Sequence, residues 1–165
     1  MSKKAWIGVA STAVLAAVVG VLVWRGLPPH TTKGTLRIGV TQIATHPGID
    51  AIRKGFIDEM AKLGHVEGQS VAYDQTNAQG DMAVAQSIAQ KLVSDKCDLI
   101  FAISTPSSQA VAKAKKGTSI PLVFGAVTDP IDAGLVTSLE KPGDNVTGTS
   151  DAWPVGDQFD LLLRL

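Results

Sequence analysis

The sequence predicts an α/β fold built on a doubly wound parallel sheet, preceded by an apolar amino-terminal helix. Three observations predict it. Past residue 34 short apolar runs alternate with stretches whose apolar residues recur at three- and four-residue spacing, the periodicities of strand and helix in turn. The runs are rich in Val and Ile without polar alternation, as in strands buried on both faces. The helical stretches between them are roughly 10 to 17 residues long, enough for the crossover that parallel neighbours require.

In chain order, Ala5 to Trp24 form an apolar stretch whose only polar members are Ser11 and Thr12. At about 1.5 Å per residue it spans roughly 30 Å, the thickness of a bilayer's hydrocarbon core. Lys3 and Lys4 precede it; Arg25, Pro28 and Pro29 follow. Residues 1–25 therefore read as a signal peptide or a membrane anchor. The length of the run and its Trp24-Arg25 ending favour an uncleaved anchor over a cleaved signal. The two lysines orient the amino terminus to the cytoplasm, so everything after Arg25 is exported, to the periplasm or an equivalent extracytoplasmic space. Residues 26–34 are a linker. About 140 residues remain, the size of one ordinary domain.

Leu36, Ile38 and Val40 open the first strand, which ends in the turn Thr45-His46-Pro47-Gly48. Ile49, Ile52, Phe56, Met60 and Leu63 then mark one face of a helix that stops at Gly64. The pattern repeats with a strand near Ser70 to Thr76 and a helix from about Asp81 to Ser94. A strand at Asp98 to Ile103, a helix near Ser107 to Lys116 and a strand at Pro121 to Val127 follow. Asn145-Val146-Thr147 reads as a plain turn after Pro142-Gly143.

Charge and cysteine content exclude several functions. Lysine plus arginine and aspartate plus glutamate each number 15; setting aside Lys3, Lys4 and Arg25 leaves 12 basic against 15 acidic residues. Such a surface carries no footprint for nucleic acid. The lone Cys97 forms no intramolecular disulfide and has no metal-ligand spacing around it, so it reads as a buried thiol. No cofactor or metal is expected.

In a parallel sheet the functional loops lie at the carboxyl ends of the strands. These ends supply Gln42, Thr45 and His46; Ser104, Thr105, Pro106, Ser107 and Ser108; and Thr128, Asp129 and Pro130. No Walker loop or GxGxxG is present among them, which disfavours a nucleotide cradle. Thr105 is expected to be the N-cap of a helix with Pro106 at its first position, and the free N–H groups there suit a carboxylate or other small anion. Capping alone is the other reading of Thr105. Asp129 either bonds a ligand's ammonium group or fixes its own loop. His46 has no nucleophile or orienting carboxylate beside it, and the serines lack a GxSxG elbow, so no catalytic machinery is assembled.

The runs THPGIDAIRKGFIDEMAKLG, QTNAQGD, SIAQKLVSDKCDLIFAISTPSSQAVA, IPLVFGAVTDPIDAGLVTSLEKPGDNVTGTSD and WPVGDQFDLL closely resemble bacterial ABC transporter substrate-binding proteins of the tryptophan/tyrosine type. The resemblance covers essentially everything from Leu36 onward. It implies a type I periplasmic-binding fold, two α/β lobes closing on a small solute, usually an aromatic amino acid or related carboxylate. By that resemblance Thr105, Ser107 and Ser108 meet the solute's carboxylate, and Gln42 and His46 line the first-strand side. Thr128 and Asp129 lie in a matching loop, and Asp129 and Asp151 approach the cleft near the hinge. It also implies an ABC transporter permease as partner. Residues 35–152 correspond to the first lobe and 153–165 to the start of a crossover helix, so the expectation is a chain truncated before its second lobe. The competing expectation is a membrane-anchored extracytoplasmic sensor or interaction domain.

Overall fold

A computed structural model describes residues 34–143 and 145–164. The anchor or signal segment and nearly all of the linker read from the sequence lie outside those residues. Among the described residues no helix is long and apolar enough to cross a membrane.

The described chain forms β1 (Leu36–Gln42), α1 (Pro47–Lys62), β2 (Val71–Asn77), α2 (Met82–Ser94), β3 (Leu99–Ile103), α3 (Thr105–Ala114), β4 (Leu122–Val127), β5 (Val146–Ser150) and α4 (Val155–Leu162). The strands make one sheet in the order β2-β1-β3-β4-β5, every pair parallel. That order reverses direction between β1 and β3, where Gln42 lies opposite Ile103.

Side-chain alternation along the strands sorts the core into two layers. Ile38, Val40, Phe101 and Ile103 face α1, which contributes Ile49, Ile52, Phe56 and Met60. Phe56 stacks on Phe101 with ring centroids 4.2 Å apart. On the opposite face Ile100, Ala102, Leu122 and Phe124 meet Ala85, Ala89 and Leu92 of α2 and Ala110 and Val111 of α3, with Cys97 in the same layer. The alanines let both helices sit close to the sheet. Cover is uneven: α1 has no fully buried residue, whereas α2 and α3 both do.

The helix ends follow from local chemistry. Asp81 accepts from the N–H groups of Ala83 and Val84 at 2.7 and 3.1 Å, capping α2. After α1, His65 N–H donates to the Met60 carbonyl and Gly64 N–H to the Ala61 carbonyl, at 2.8 and 3.0 Å. This closure needs a left-handed residue, and Gly64 supplies it at φ 91°.

Two expectations are corrected. The helix expected at Ser107 to Lys116 begins and ends two residues earlier, and Ser104 rather than Thr105 occupies its cap position, with no side-chain cap bond. The chain reverses at Ser104, whose φ of 82° and ψ of 157° turn it straight out of β3. The segment read as a plain turn is one only at Asn145. From Val146 it becomes the edge strand β5, of which only Val146 is buried.

Candidate functional site

Because all five strands run the same way, their carboxyl ends form one edge of the sheet. The reversal in strand order falls on that edge between Gln42 and Ser104, the position where open α/β sheets leave a crevice for ligands. The expected residues from β1, β3, β4 and β5 are brought to this edge.

The turn from β3 into α3 is the most constrained part. Ser104 occupies a backbone region that is essentially reserved for glycine. It is locked there from three sides: its N–H donates to the Gly125 carbonyl at 2.8 Å, and its own carbonyl accepts from Ser108 N–H at 3.1 Å and Ser108 Oγ at 2.8 Å. The first turn of α3 leaves the N–H groups of Thr105 and Ser107 without intrahelical acceptors. Pro106 between them has no N–H to offer. Thr105 is half-buried, and Ser107 and Ser108 are buried at 1% and 0% exposure.

The three hydroxyls expected to meet a carboxylate are not equivalent. Ser108 Oγ is spent on backbone carbonyls, that of Ser104 and, at 3.2 Å, that of Ala102. Ser107 Oγ is buried without any partner, and so is Ser104 Oγ. Ser104 lay inside the motif but outside the predicted set; a lone serine before Thr-Pro gives no hint of its glycine-like backbone.

On the β1 side Gln42 is 2% exposed and donates through Nε2 to the Ala44 carbonyl at 3.0 Å and to Asp50 Oδ1 at 2.9 Å. His46 is exposed and accepts from Gly48 N–H at Nδ1, capping α1. A hollow of about 270 Å³ opens here, walled by Gln42, Thr45, Asp50, Arg53, Gln75, Thr76 and Asn77. Asp50 and Arg53 were not predicted. An acidic residue in a first helical turn reads as dipole compensation, and nothing in the sequence pairs it with Gln42.

At the ends of β4 and β5, Asp129 Oδ1 accepts from Ile131 and Asp132 N–H at 2.9 and 3.0 Å, so this carboxylate fixes its own loop through one oxygen. The Thr128 carbonyl accepts from Ser150 Oγ at 2.9 Å, and Asp151 N–H donates to the Val127 carbonyl at 3.3 Å. These bonds tie the two loops together, with the Thr128, Asp129 and Asp151 side chains exposed. Among the described residues no group of three or more His, Cys, Asp or Glu side chains is placed to hold a metal ion.

A larger hollow, about 590 Å³, lies at the opposite edge between the end of α3 and the start of β5. There the helix presents its carbonyl end, and the sheet its amino ends, so this hollow lacks the free N–H groups that the carboxyl edge offers.

Residues 37–165 match the family model described as ABC transporter substrate binding protein. A curated relative from Clostridioides difficile, named tyrosine-binding protein, is 49% identical over 134 residues, covering 81% of this chain and 38% of its own. Among solved structures, the ligand-free, open form of a Clostridium difficile substrate-binding protein with adhesive properties superposes with a TM-score of 0.73 at 51% identity, over 79% of this chain and 43% of that one. A Streptococcus pneumoniae ABC domain in complex with L-Trp gives a TM-score of 0.73 at 40% identity, over 78% and 43%. The chain thus spans less than half the length of these relatives. With the parallel sheet and the matched residues together, the chain belongs to the ABC transporter substrate-binding protein family.

Proposed function

We propose that the chain is the first lobe, residues 35–152, of an extracytoplasmic solute-binding component of an ABC importer, with residues 153–165 opening the crossover to a second lobe. The solute is a small carboxylate, of the aromatic amino acid class, and it is bound without being chemically altered. The observation that carries this reading is the start of α3. A buried, unpartnered Ser107 hydroxyl lies beside two free N–H groups, with the backbone at Ser104 held in an otherwise unfavourable conformation. An arrangement with unused donors at the positive end of a helix suits an anion. In this reading Thr105 and Ser107 donate to the carboxylate and Ser108 holds the turn. Gln42 and His46 flank it, and Thr128, Asp129 and Asp151 line the far side. The names of the relatives, a tyrosine-binding protein and an L-Trp complex, support the aromatic class. A permease partner and a membrane tether through residues 5–24 complete the proposal.

The test is a titration of the isotope-labelled chain with L-tryptophan, followed by amide NMR. One lobe offers part of a two-lobed site, so the expected Kd is millimolar, about −4 kcal/mol. The Thr105 and Ser107 amides are expected to move first. If tens of millimolar ligand leave both unmoved, the reading fails.

A further inference from the structure

Resting on the membrane tether in the reading just given, we propose that the amino edge of the sheet is a docking surface for anionic phospholipid headgroups, carried by Lys96, Lys113 and Lys116. Topology gathers these residues. Because every strand is parallel and the helices run back between them, α2 and α3 end where β3 and β4 begin. Lys91 and Lys96 at the end of α2, Lys113 and Lys116 at the end of α3, and Arg37 at the start of β1 are all exposed there. The opposite edge has the reverse sign. Residues 43–50, 78–81, 104–107 and 128–132, which follow the first four strands, include Asp50, Asp81, Asp129 and Asp132 and no lysine or arginine.

Local partners account for part of the charge. Lys91 pairs with Asp74 and Asp95, and Asp98 lies beside Arg37, accepting its backbone N–H at 2.8 Å. The carbonyl ends of α2 and α3 each add about half a negative charge, which Lys91 and Lys113 offset from the last turns. Lys96 and Lys116 lie past the helix ends, and neither makes an ion pair with a described carboxylate. Their charge is therefore open to a partner. Hollows of about 630 and 590 Å³ flank Gly117 and Thr118, with Lys96 in the wall of one and Lys116 in the wall of the other. Both fall in the size range of small-ligand clefts and can admit a phosphate headgroup.

Chain connectivity supplies the partner. Gly34 leads into β1 at Leu36, so the chain enters the sheet at its amino edge. Residues 26–34 span at most about 30 Å, and with the proposed tether a bilayer lies within reach of that edge. Each lysine near an anionic bilayer surface raises affinity about fivefold. The aspartates of the carboxyl edge stand one seven-residue strand away, about 23 Å, beyond the screening length of about 8 Å at physiological salt. Attraction at the near edge therefore outweighs repulsion at the far one, and the proposed solute edge is left facing the solvent.

The test reconstitutes the full chain into vesicles of phosphatidylcholine alone and of an equal mixture with phosphatidylglycerol. A membrane-impermeant reagent acylates the lysines, and mass spectrometry reads the rate at each. On the mixture Lys96, Lys113 and Lys116 are expected to react at least about fivefold more slowly than on phosphatidylcholine, the effect of one lysine at an anionic surface. Lys54, exposed on α1, should react equally on both, and about 1 M salt should abolish the difference. Equal rates at the three lysines, or equal slowing of Lys54, overturn the docking edge and leave the tether standing. A chain retained on neither vesicle overturns both. Retention on the mixture alone, with the three lysines slowed, overturns the tether and keeps the edge. In the double variant Lys96→Gln, Lys116→Gln, whose side chains are exposed, Lys113 should react at nearly the same rate on both vesicles; undiminished protection of Lys113 would overturn the proposal.

Discussion

A buried hydroxyl with no partner is a net loss to the folded state, so Ser107 separates two roles by the sign of one measurement. If the hydroxyl is there for a ligand, Ser107→Ala should leave stability unchanged or raise it by up to about 1 kcal/mol, since it removes an unsatisfied polar group. The same change should weaken carboxylate binding several-fold. A fall in stability of that size, seen by urea unfolding, would mean the hydroxyl has a structural partner. Sequence reading marked this run of residues as a candidate but could not rank them, because Ser107 and Ser108 differ only in which way the folded helix turns them. Likewise, Asp129 and His46 could each serve a ligand or their own loops, and only the folded loops show Asp129 Oδ1 and His46 Nδ1 accepting local N–H groups. Cys97 was readable in advance as a core thiol, and it carries a pH signature. Burial pushes its pKa up; Asp74 and Asp95 push the same way, and Arg37 and Lys91 oppose them. The folded state thus holds the thiol proton more tightly than the unfolded chain. Its stabilising contribution is full below the ordinary thiol value of 9.0 and is lost as pH rises through the higher folded value. Unfolding measured from pH 7 to 10 should therefore show a steeper loss of stability in the parent than in Cys97→Ala, and parallel curves would refute the shift.

At the scale of elements, what determined legibility was burial. Strands β1, β3 and β4 sit inside the sheet and place apolar residues on both faces, so their runs stand out. Helix α1 shows its periodic stripe, and α2 adds a cap, where Asp81→Ala should cost about 1 kcal/mol. Strand β5 escaped because an edge strand of sequence Val-Thr-Gly-Thr-Ser needs only one buried side chain and has no hydrophobic period to detect. Its place is set by backbone pairing with β4 and by the absence of a side chain at Gly148. A Cβ there would collide with the Phe124 carbonyl oxygen and ring. Gly148→Ala should accordingly destabilise the chain by about 1–3 kcal/mol, the range for overpacking. Since β5 leads directly into Asp151 and ties Ser150 to the Thr128 carbonyl, the same variant should disturb the amides of the Thr128–Asp129 loop. A silent substitution would mean that β5 is not seated on β4.

Across the whole molecule, cover is graded, and stability should be graded with it. The sheet centre is enclosed on both sides, with Val40, Ile100 and Ile103 at 1%, 0% and 0% exposure. At the other extreme, α4 has no buried residue; Val155, Phe159 and Leu162 are 52%, 62% and 65% exposed, and Trp153 before it 69%. An eight-residue helix without packing is too short to hold itself together in water. Native-state hydrogen exchange should follow this order. The slowest amides should lie in β1 and β3 and open only with global unfolding. Those of α1 should be intermediate, because that helix rests on the sheet through partly buried side chains. Those of α4 should exchange close to the rate of an unstructured peptide. The carboxyl edge of the sheet belongs to the rigid end of this gradient, since Gln42 and Ser104 terminate the two most enclosed strands, and the proposed site there would keep its geometry while its margins move. Protection of α4 equal to that of β3, persisting on dilution, would show that its apolar face is covered within the chain and would contradict the gradient.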